Sequence, residues 1–185
     1  MTGSRVLSLG VLAFWCAFFL SLQLVLVYRM QPTPGAQYPW MPDLTIALAV
    51  ALAVRVPRPE ILPAILVLAL VRVAFSTDPP AVILAAFLAV SIFVAGLRQA
   101  IEVNGILPRT LIAFLCAAGM SVWGRWVLQA RSREWVGSGW VASDTGELFR
   151  AALPGAVTTC LLVGLCGVAL AQLPGLSPLY RRPKI

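Results

Sequence analysis

Side chains able to do chemistry are few in this sequence and widely spaced. None of the 185 residues is histidine, which excludes histidine-dependent bases, catalytic triads and histidine metal sites. The cysteines fall inside apolar stretches without forming a Cys-x-x-Cys pair, so we interpret them as small buried apolar residues and not as disulfides or metal ligands. They are Cys16, Cys116, Cys160 and Cys166.

The acidic residues and the one glycine-serine motif also argue against catalysis. All 7 acidic residues stand at the ends of apolar stretches or in loops, so no two carboxylates are expected to face each other as a proton relay requires. Gly137-Ser138-Gly139 lacks the flanking spacing of a nucleophile elbow or a phosphate-binding loop. We therefore expect no enzyme, and no catalytic, cofactor or metal site.

The overall composition indicates a membrane protein. Hydrophobic residues make up 60% of the chain, charged residues 11%, and the mean hydropathy is +0.90. Soluble proteins average about 45–50% apolar and about 25% charged residues. The net charge of +7 comes from cations scattered at the ends of apolar stretches, so it indicates membrane topology and not a nucleic-acid partner.

Apolar stretches separated by prolines and cations predict six transmembrane helices in a single all-α bundle. The first is long enough, at about 1.5 Å per residue, to cross a hydrocarbon core of about 30 Å. The second and third are short, and the sequence allows either a true pair of spans or a re-entrant hairpin. The predicted helices cover residues 6–28, 41–56, 61–76, 80–97, 106–128 and 153–173, with an extracytoplasmic surface segment at 129–150.

The two short helices begin with similar chemistry. Pro42 suits the first turn of a helix, where its missing N–H is no loss, and Asp43 places negative charge near the positive end of the helix dipole. Pro59 and Glu60 repeat this pattern at the start of the third helix. The second helix is therefore predicted to start near Met41 and the third at Ile61.

Arg72 is a candidate functional residue because it is predicted inside a membrane helix. An arginine at the bilayer centre costs about 2.5–3.5 kcal/mol on insertion scales. Arg72 lies about one turn from Ser76-Thr77-Asp78, so it could also extend outward to the headgroups. The sequence leaves both interpretations open: an anchor at the membrane surface, or a contact with the bundle or a partner. Arg109 and Arg125, near the two ends of the fifth helix, are expected to be anchors of this kind.

The fourth helix carries small residues at a helical spacing. Ala81, Ala85 and Ala89 recur every fourth residue, which places them on one face where another helix can approach closely. Because alanine is abundant throughout the chain, composition alone could also produce this spacing.

Two tryptophans lie in the polar segment at 129–150. Trp135 and Trp140 are typical of a loop or short helix on the membrane surface. They either anchor this segment at the interface or form a partner-binding patch.

The distribution of cations predicts the orientation. With a cytoplasmic N-terminus, 8 of the 14 cations lie inside and 6 outside, and most of the outer ones are single or stand at helix ends. Both termini are then cytoplasmic. The predicted inner cations are Arg5, Arg55, Arg58, Arg98, Arg109, Arg181, Arg182 and Lys184.

The order of features between Met41 and Arg98 is similar to that of a known family. Pro42-Asp43-Leu44 opens a short second helix, Arg58-Pro59 marks the turn, and Ser76-Thr77-Asp78-Pro79-Pro80 leads into the fourth helix. Together with a long first helix and an aromatic and proline-rich loop, this order resembles MreD, the rod-shape-determining membrane protein. The family usually shows a Gly-Leu pair and an acid late in the third helix. Here that stretch is Ala69-Leu70-Val71-Arg72, so no family role is carried over to Arg72.

The resemblance implies a non-enzymatic scaffold of the bacterial cell-elongation machinery, which builds peptidoglycan at the cytoplasmic (inner) membrane. It implies MreC, and RodA with its transpeptidase, as partners besides membrane lipids. It also implies an architecture similar to the substrate-binding S-components of energy-coupling-factor vitamin transporters.

That architecture supplies a second hypothesis, the substrate-binding subunit of a small-molecule importer. Such a site needs polar groups that converge in a pocket sheltered from lipid. The sequence offers few candidates besides Gln23, Arg72 and Asn104, which favours the scaffold. An accessory subunit of another membrane complex fits the composition equally well.

Overall fold

The computed structural model describes residues 3–30, 40–76, 78–100, 105–136 and 145–180. Within these ranges the regular structure is helical and contains no strand, which confirms the predicted all-α membrane bundle. The helices are α1 (Gly3–Met30), α2 (Leu44–Arg55), α3 (Arg58–Ala74), α4 (Pro80–Ala100), α5 (Ile106–Val136), α6 (Thr145–Ala171) and α7 (Ser177–Tyr180).

Four of the described helices, α1, α4, α5 and α6, are long and apolar enough to cross a membrane, and the chain is a multi-pass membrane protein. The second and third helices are short, as predicted. α2 has 12 residues and α3 has 17, or about 18 Å and about 26 Å at 1.5 Å per residue.

α2 forms the centre of the bundle. Every residue from Thr45 to Val54 is at most 9% exposed, and α2 contacts α1, α3, α4, α5 and α6. A helix that is apolar all round belongs in a protein core or in a membrane, and α2 has other helices on all sides. Every second residue from Ala47 to Ala53 is alanine, and these small side chains let the neighbouring helices pack closely against α2. The shortest of the six bundle helices therefore has almost no surface facing lipid.

At one end of the bundle, two arginines connect helices that begin or finish there. The Arg5 side chain of α1 forms an ion pair with Glu60 in the first turn of α3. The Arg98 Nη1 of α4 donates hydrogen bonds to the carbonyls of Ala53 at 2.8 Å and Val56 at 2.7 Å. Ala53 lies in the last turn of α2 and Val56 directly follows the helix, so we call this the Arg98 end.

The opposite end is marked by an ion pair between Asp43, just before α2, and Arg72 in the last turn of α3. We call it the Asp43 end. Since α2 starts here and finishes at the Arg98 end, and α3 does the reverse, the two short helices form an antiparallel pair inside the bundle.

The predicted surface segment at 129–150 is helical on both flanks. α5 continues to Val136 instead of ending at 128, and α6 begins at Thr145 instead of 153, with Pro154 inside it. The polar residues after Leu128 include good helix formers and no proline, so the helix persists although the apolar pattern stops. Residues 137–144 lie outside the described ranges.

α7 closes the Arg98 end against α1. Gly175 has φ = 85°, a left-handed conformation that suits glycine, and allows the chain to turn into α7. The Tyr180 hydroxyl donates a hydrogen bond to the Ala171 carbonyl. Burial raises the pKa of Tyr180 to about 12, while nearby Arg55 acts in the opposite direction. The hydroxyl therefore stays protonated, and a donor, beyond the pH range in which tyrosine ordinarily ionises.

α5 and α6 make the most extensive helix–helix contact in the described bundle. Gly164 of α6 faces Thr110 of α5, and a Cβ at position 164 would overlap the Thr110 methyl group. Thr110 Oγ1 donates a hydrogen bond of 2.9 Å to the Leu107 carbonyl, which fixes its rotamer. Glycine is therefore the residue that fits this contact.

We expect Gly164→Ala to destabilise the protein, because the added methyl group must push α5 and α6 apart. Overpacking of this kind costs about 1–3 kcal/mol, and each kcal/mol lowers Tm by about 2–4 °C in a chain of this size. Thermal unfolding in detergent measures the shift. Gly96→Ala on α4 is the matched control, since a Cβ there meets nothing within 4 Å. Equal Tm changes in both variants would contradict this close contact.

Candidate functional site

The start of α2 is built around Asp43, as the sequence predicts. Its Oδ1 accepts hydrogen bonds from the backbone N–H groups of Thr45 at 3.0 Å and Ile46 at 3.1 Å. The first N–H groups of a helix have no partner within the helix, and inside a membrane bundle they cannot rely on water. Asp43 supplies both an acceptor and a negative charge at the positive end of the dipole.

Arg72 contacts this cap directly. Its Nη2 lies 3.1 Å from Asp43 Oδ2 and its Nη1 lies 3.3 Å from Asp43 Oδ1. Nη1 also donates a hydrogen bond of 3.1 Å to Thr45 Oγ1. Such two-point pairs fix geometry as well as charge. Of the two interpretations that the sequence left open for Arg72, the structure shows the contact within the bundle.

Two more helices bond to the same turn. The Asp43 N–H donates to Thr159 Oγ1 of α6 at 2.9 Å, and the Leu44 N–H donates to Gln23 Oε1 of α1 at 3.4 Å. Thr159 is completely buried. Polar side chains from α1, α3 and α6 thus converge on the first turn of α2. Each provides a hydrogen-bond or charge partner that lipid could not supply.

A recess of about 360 Å³ opens beside this turn. Its charged lining consists of Asp43, Arg72, Asp78 and Arg125, and its apolar lining includes Phe87 and Trp123. The recess combines two carboxylates and two guanidinium groups from four different parts of the chain. These residues could hold a small group that carries both signs of charge.

A second cavity of about 310 Å³ lies between α4 and α5, and we call it the groove. Its lining is almost wholly apolar, and small residues such as Ala85, Ala89 and Gly119 make it wide. Ala86, Met120 and Trp123 line both the groove and the recess. The two cavities are therefore neighbours along the same pair of helices.

The structure separates the other predicted site residues. Ala81, Ala85 and Ala89 are all exposed on α4, and the last two line the groove. Trp135 lies in α5, but its side chain is outside what the structure describes, and Trp140 lies outside the described ranges altogether. The role of these tryptophans stays a prediction.

Two expectations about single side chains need correction. Arg109 does not extend outward from the bundle as an anchor would: it is only 7% exposed, and its Cδ packs beside Gly167. Cys166 is exposed on α6 and Cys160 is half-buried, so burial holds only for Cys16 and Cys116. Cys166 stands beside other exposed apolar residues of α6, Leu165 and Val168.

No metal-binding cluster is formed by the part of the chain that the structure describes, where no three Cys, Asp or Glu side chains come together. The pairing of Asp43 with Arg72 was missed by sequence reasoning. The available signal was an acid at the start of the second helix and a cation at the end of the third, which antiparallel helices bring to the same end.

Comparisons with known proteins add no identification. The chain matches no protein-family model, and searches of curated proteins and of solved structures give no significant match.

We expect Asp43→Ala to destabilise the protein more than Asp43→Asn. Asparagine keeps an oxygen that can cap α2 and loses only the charge, whereas alanine loses both, and loss of a cap costs about 1 kcal/mol. Arg72→Gln should then destabilise the Asp43→Asn variant less than it destabilises the wild type. The difference in the free energy of unfolding is expected to be about 0.5–3 kcal/mol. Thermal unfolding of the single and double variants gives this coupling. Strictly additive Tm changes would show that the pair contributes nothing.

Proposed function

We propose that this protein is a non-enzymatic, MreD-like scaffold that holds partner proteins of the bacterial cell-elongation machinery together in the cytoplasmic membrane. The observation that best supports this proposal is the outer face of α4. Ala81, Ala85 and Ala89 are exposed there, and the groove opens beside them.

The physical basis is the way helices associate in lipid. Lipid tails are as apolar as the helices, so association depends on close packing, which small residues permit. A partner helix that crosses the exposed alanines of α4 can approach its backbone closely. The polar groups of the interior, by contrast, mainly bond to one another and hold the bundle together.

The partners follow from the resemblance to MreD. MreC, and RodA with its transpeptidase, are the proteins expected to contact α4. The termini are cytoplasmic in this proposal, which places the Arg98 end inside and the Asp43 end outside. The surface segment with Trp135 and Trp140 then offers a second contact on the outer side.

The recess favours a second candidate, the substrate-binding subunit of an importer. Its volume of about 360 Å³ falls within the range of about 300–1,000 Å³ that small-molecule sites occupy. Charged groups do converge there, which the sequence alone did not indicate. Such a subunit would associate with an ATPase pair through a transmembrane coupling protein.

Affinity purification from the native membrane in mild detergent separates the two candidates. The scaffold is expected to recover MreC or a cell-wall synthase. Recovery of an ATPase pair with a transmembrane coupler would contradict the scaffold and support the importer.

We also expect Ala85→Leu to reduce partner recovery, because a large side chain keeps the partner helix away from the α4 backbone. A loss of about 1.4 kcal/mol in contact energy corresponds to roughly tenfold weaker binding. Ala169→Leu is the matched control, since Ala169 is exposed on α6, outside the groove. Quantitative mass spectrometry of the recovered proteins gives the ratio. Equal recovery with both variants would rule out α4 as the contact.

A further inference from the structure

The recess and the groove are neighbouring cavities with two kinds of lining. The recess carries four charged side chains, whereas the groove is lined almost wholly by apolar ones. Ala86, Met120 and Trp123 contribute to both cavities, so the two adjoin along α4 and α5, and we call them together the cleft. Membrane lipids have the same division into a charged headgroup and apolar chains.

The recess also lies at the Asp43 end of the bundle, between the turn that leads into α4 and the end of the apolar span of α5. Asp78 stands in the turn between α3 and α4, and Arg125 stands near the end of the apolar span Ile106–Val127. Both residues mark the place where membrane helices leave the hydrocarbon core. The groove adjoins the recess and follows α4 from Ala85 to Phe93, a rise of about 12 Å away from the start of α4.

The charges of the recess indicate which headgroup fits. Asp43 and Arg72 neutralise each other. The Asp78 carboxylate accepts a hydrogen bond of 3.1 Å from Ser76 Oγ and contacts no cation among the described residues. Arg125 brings a guanidinium group to the same recess. An acid and a guanidinium in one recess suit a headgroup that carries both an ammonium and a phosphate.

We propose that this cleft holds one zwitterionic phospholipid with a primary ammonium group, such as phosphatidylethanolamine. Its ammonium group bonds to Asp78, its phosphate lies at Arg125, and one acyl chain occupies the groove between α4 and α5. The exposed alanines of α4 lie at the rim of the groove, so a partner helix can cover the bound chain. The lipid site goes beyond the scaffold function and does not depend on it, because the purified protein alone is sufficient for the test.

The first test is native mass spectrometry of the wild-type protein. It is purified in detergent and mixed with equal amounts of phosphatidylethanolamine, phosphatidylglycerol and phosphatidylcholine that carry the same acyl chains. We expect one phosphatidylethanolamine per chain, preferred roughly tenfold over the other two, because only its ammonium can both donate to and neutralise Asp78. Equal retention of all three lipids, or of none, would overturn the proposal.

Variants test the two halves of the cleft separately. Asp78→Asn should remove the preference between headgroups, and Ala89→Phe should lower retention of all three lipids by filling the groove. Arg150→Gln and Ala169→Phe are the matched controls, since both residues are exposed on α6 and line neither cavity. A headgroup preference that survives in Asp78→Asn would contradict the assignment of the ammonium site. If Asp78→Asn fails to fold, the comparison of the three headgroups with the wild-type protein still tests the lipid proposal.

A third arm distinguishes a lipid from a water-soluble ligand. O-phosphoethanolamine has the same headgroup chemistry without acyl chains, and we expect it not to displace the bound lipid at equal concentration. Displacement by this compound would show that the groove is not used, and it would overturn the lipid proposal in favour of a soluble substrate. Failure of the partner purification leaves this result unaffected, so the two proposals can fail independently.

Discussion

The structure depends on a helix that is too short for the membrane in which it lies. α2 is about 18 Å long, whereas the hydrocarbon core is about 30 Å thick. At least one of its ends must therefore lie within the core, and both ends have hydrogen-bond partners in the protein. Asp43 provides them at the start of α2, and the Arg98 side chain provides them at its end. An acid at the positive end and a cation at the negative end also match the helix dipole.

This constraint explains where the polar side chains of the bundle lie. Thr159 and Gln23 contact the same turn as Asp43, and Arg72 neutralises its charge. The longer helices continue past this turn, and α5 alone has 31 residues. The space beside the start of α2 that they enclose is the recess. The feature that stabilises the core thus also creates the candidate site.

The sequence predicts the membrane class, the short second helix and the role of Asp43 at its start, because proline, acid and apolar length are local signals. It does not predict that Asp43 contacts Arg72, since that contact depends on how two helices pack. Arg109 shows the same limit: its position near a helix end suggests an anchor, yet packing beside Gly167 leaves it buried. The length of α5 was underestimated because its last two turns are helical without being apolar.

The central claim is that α2 is enclosed by protein on all sides, and a lipid-soluble carbene reagent tests it most directly. The reagent is activated in a bilayer that contains the protein, and labelled peptides are identified by mass spectrometry. Residues 44–55 should carry almost no label, while exposed residues such as Ile92 on α4 and Leu165 on α6, at 72% and 83% exposed, should be labelled strongly. Labelling of α2 at the level of α4 would contradict the enclosed helix and the polar contacts inferred from it.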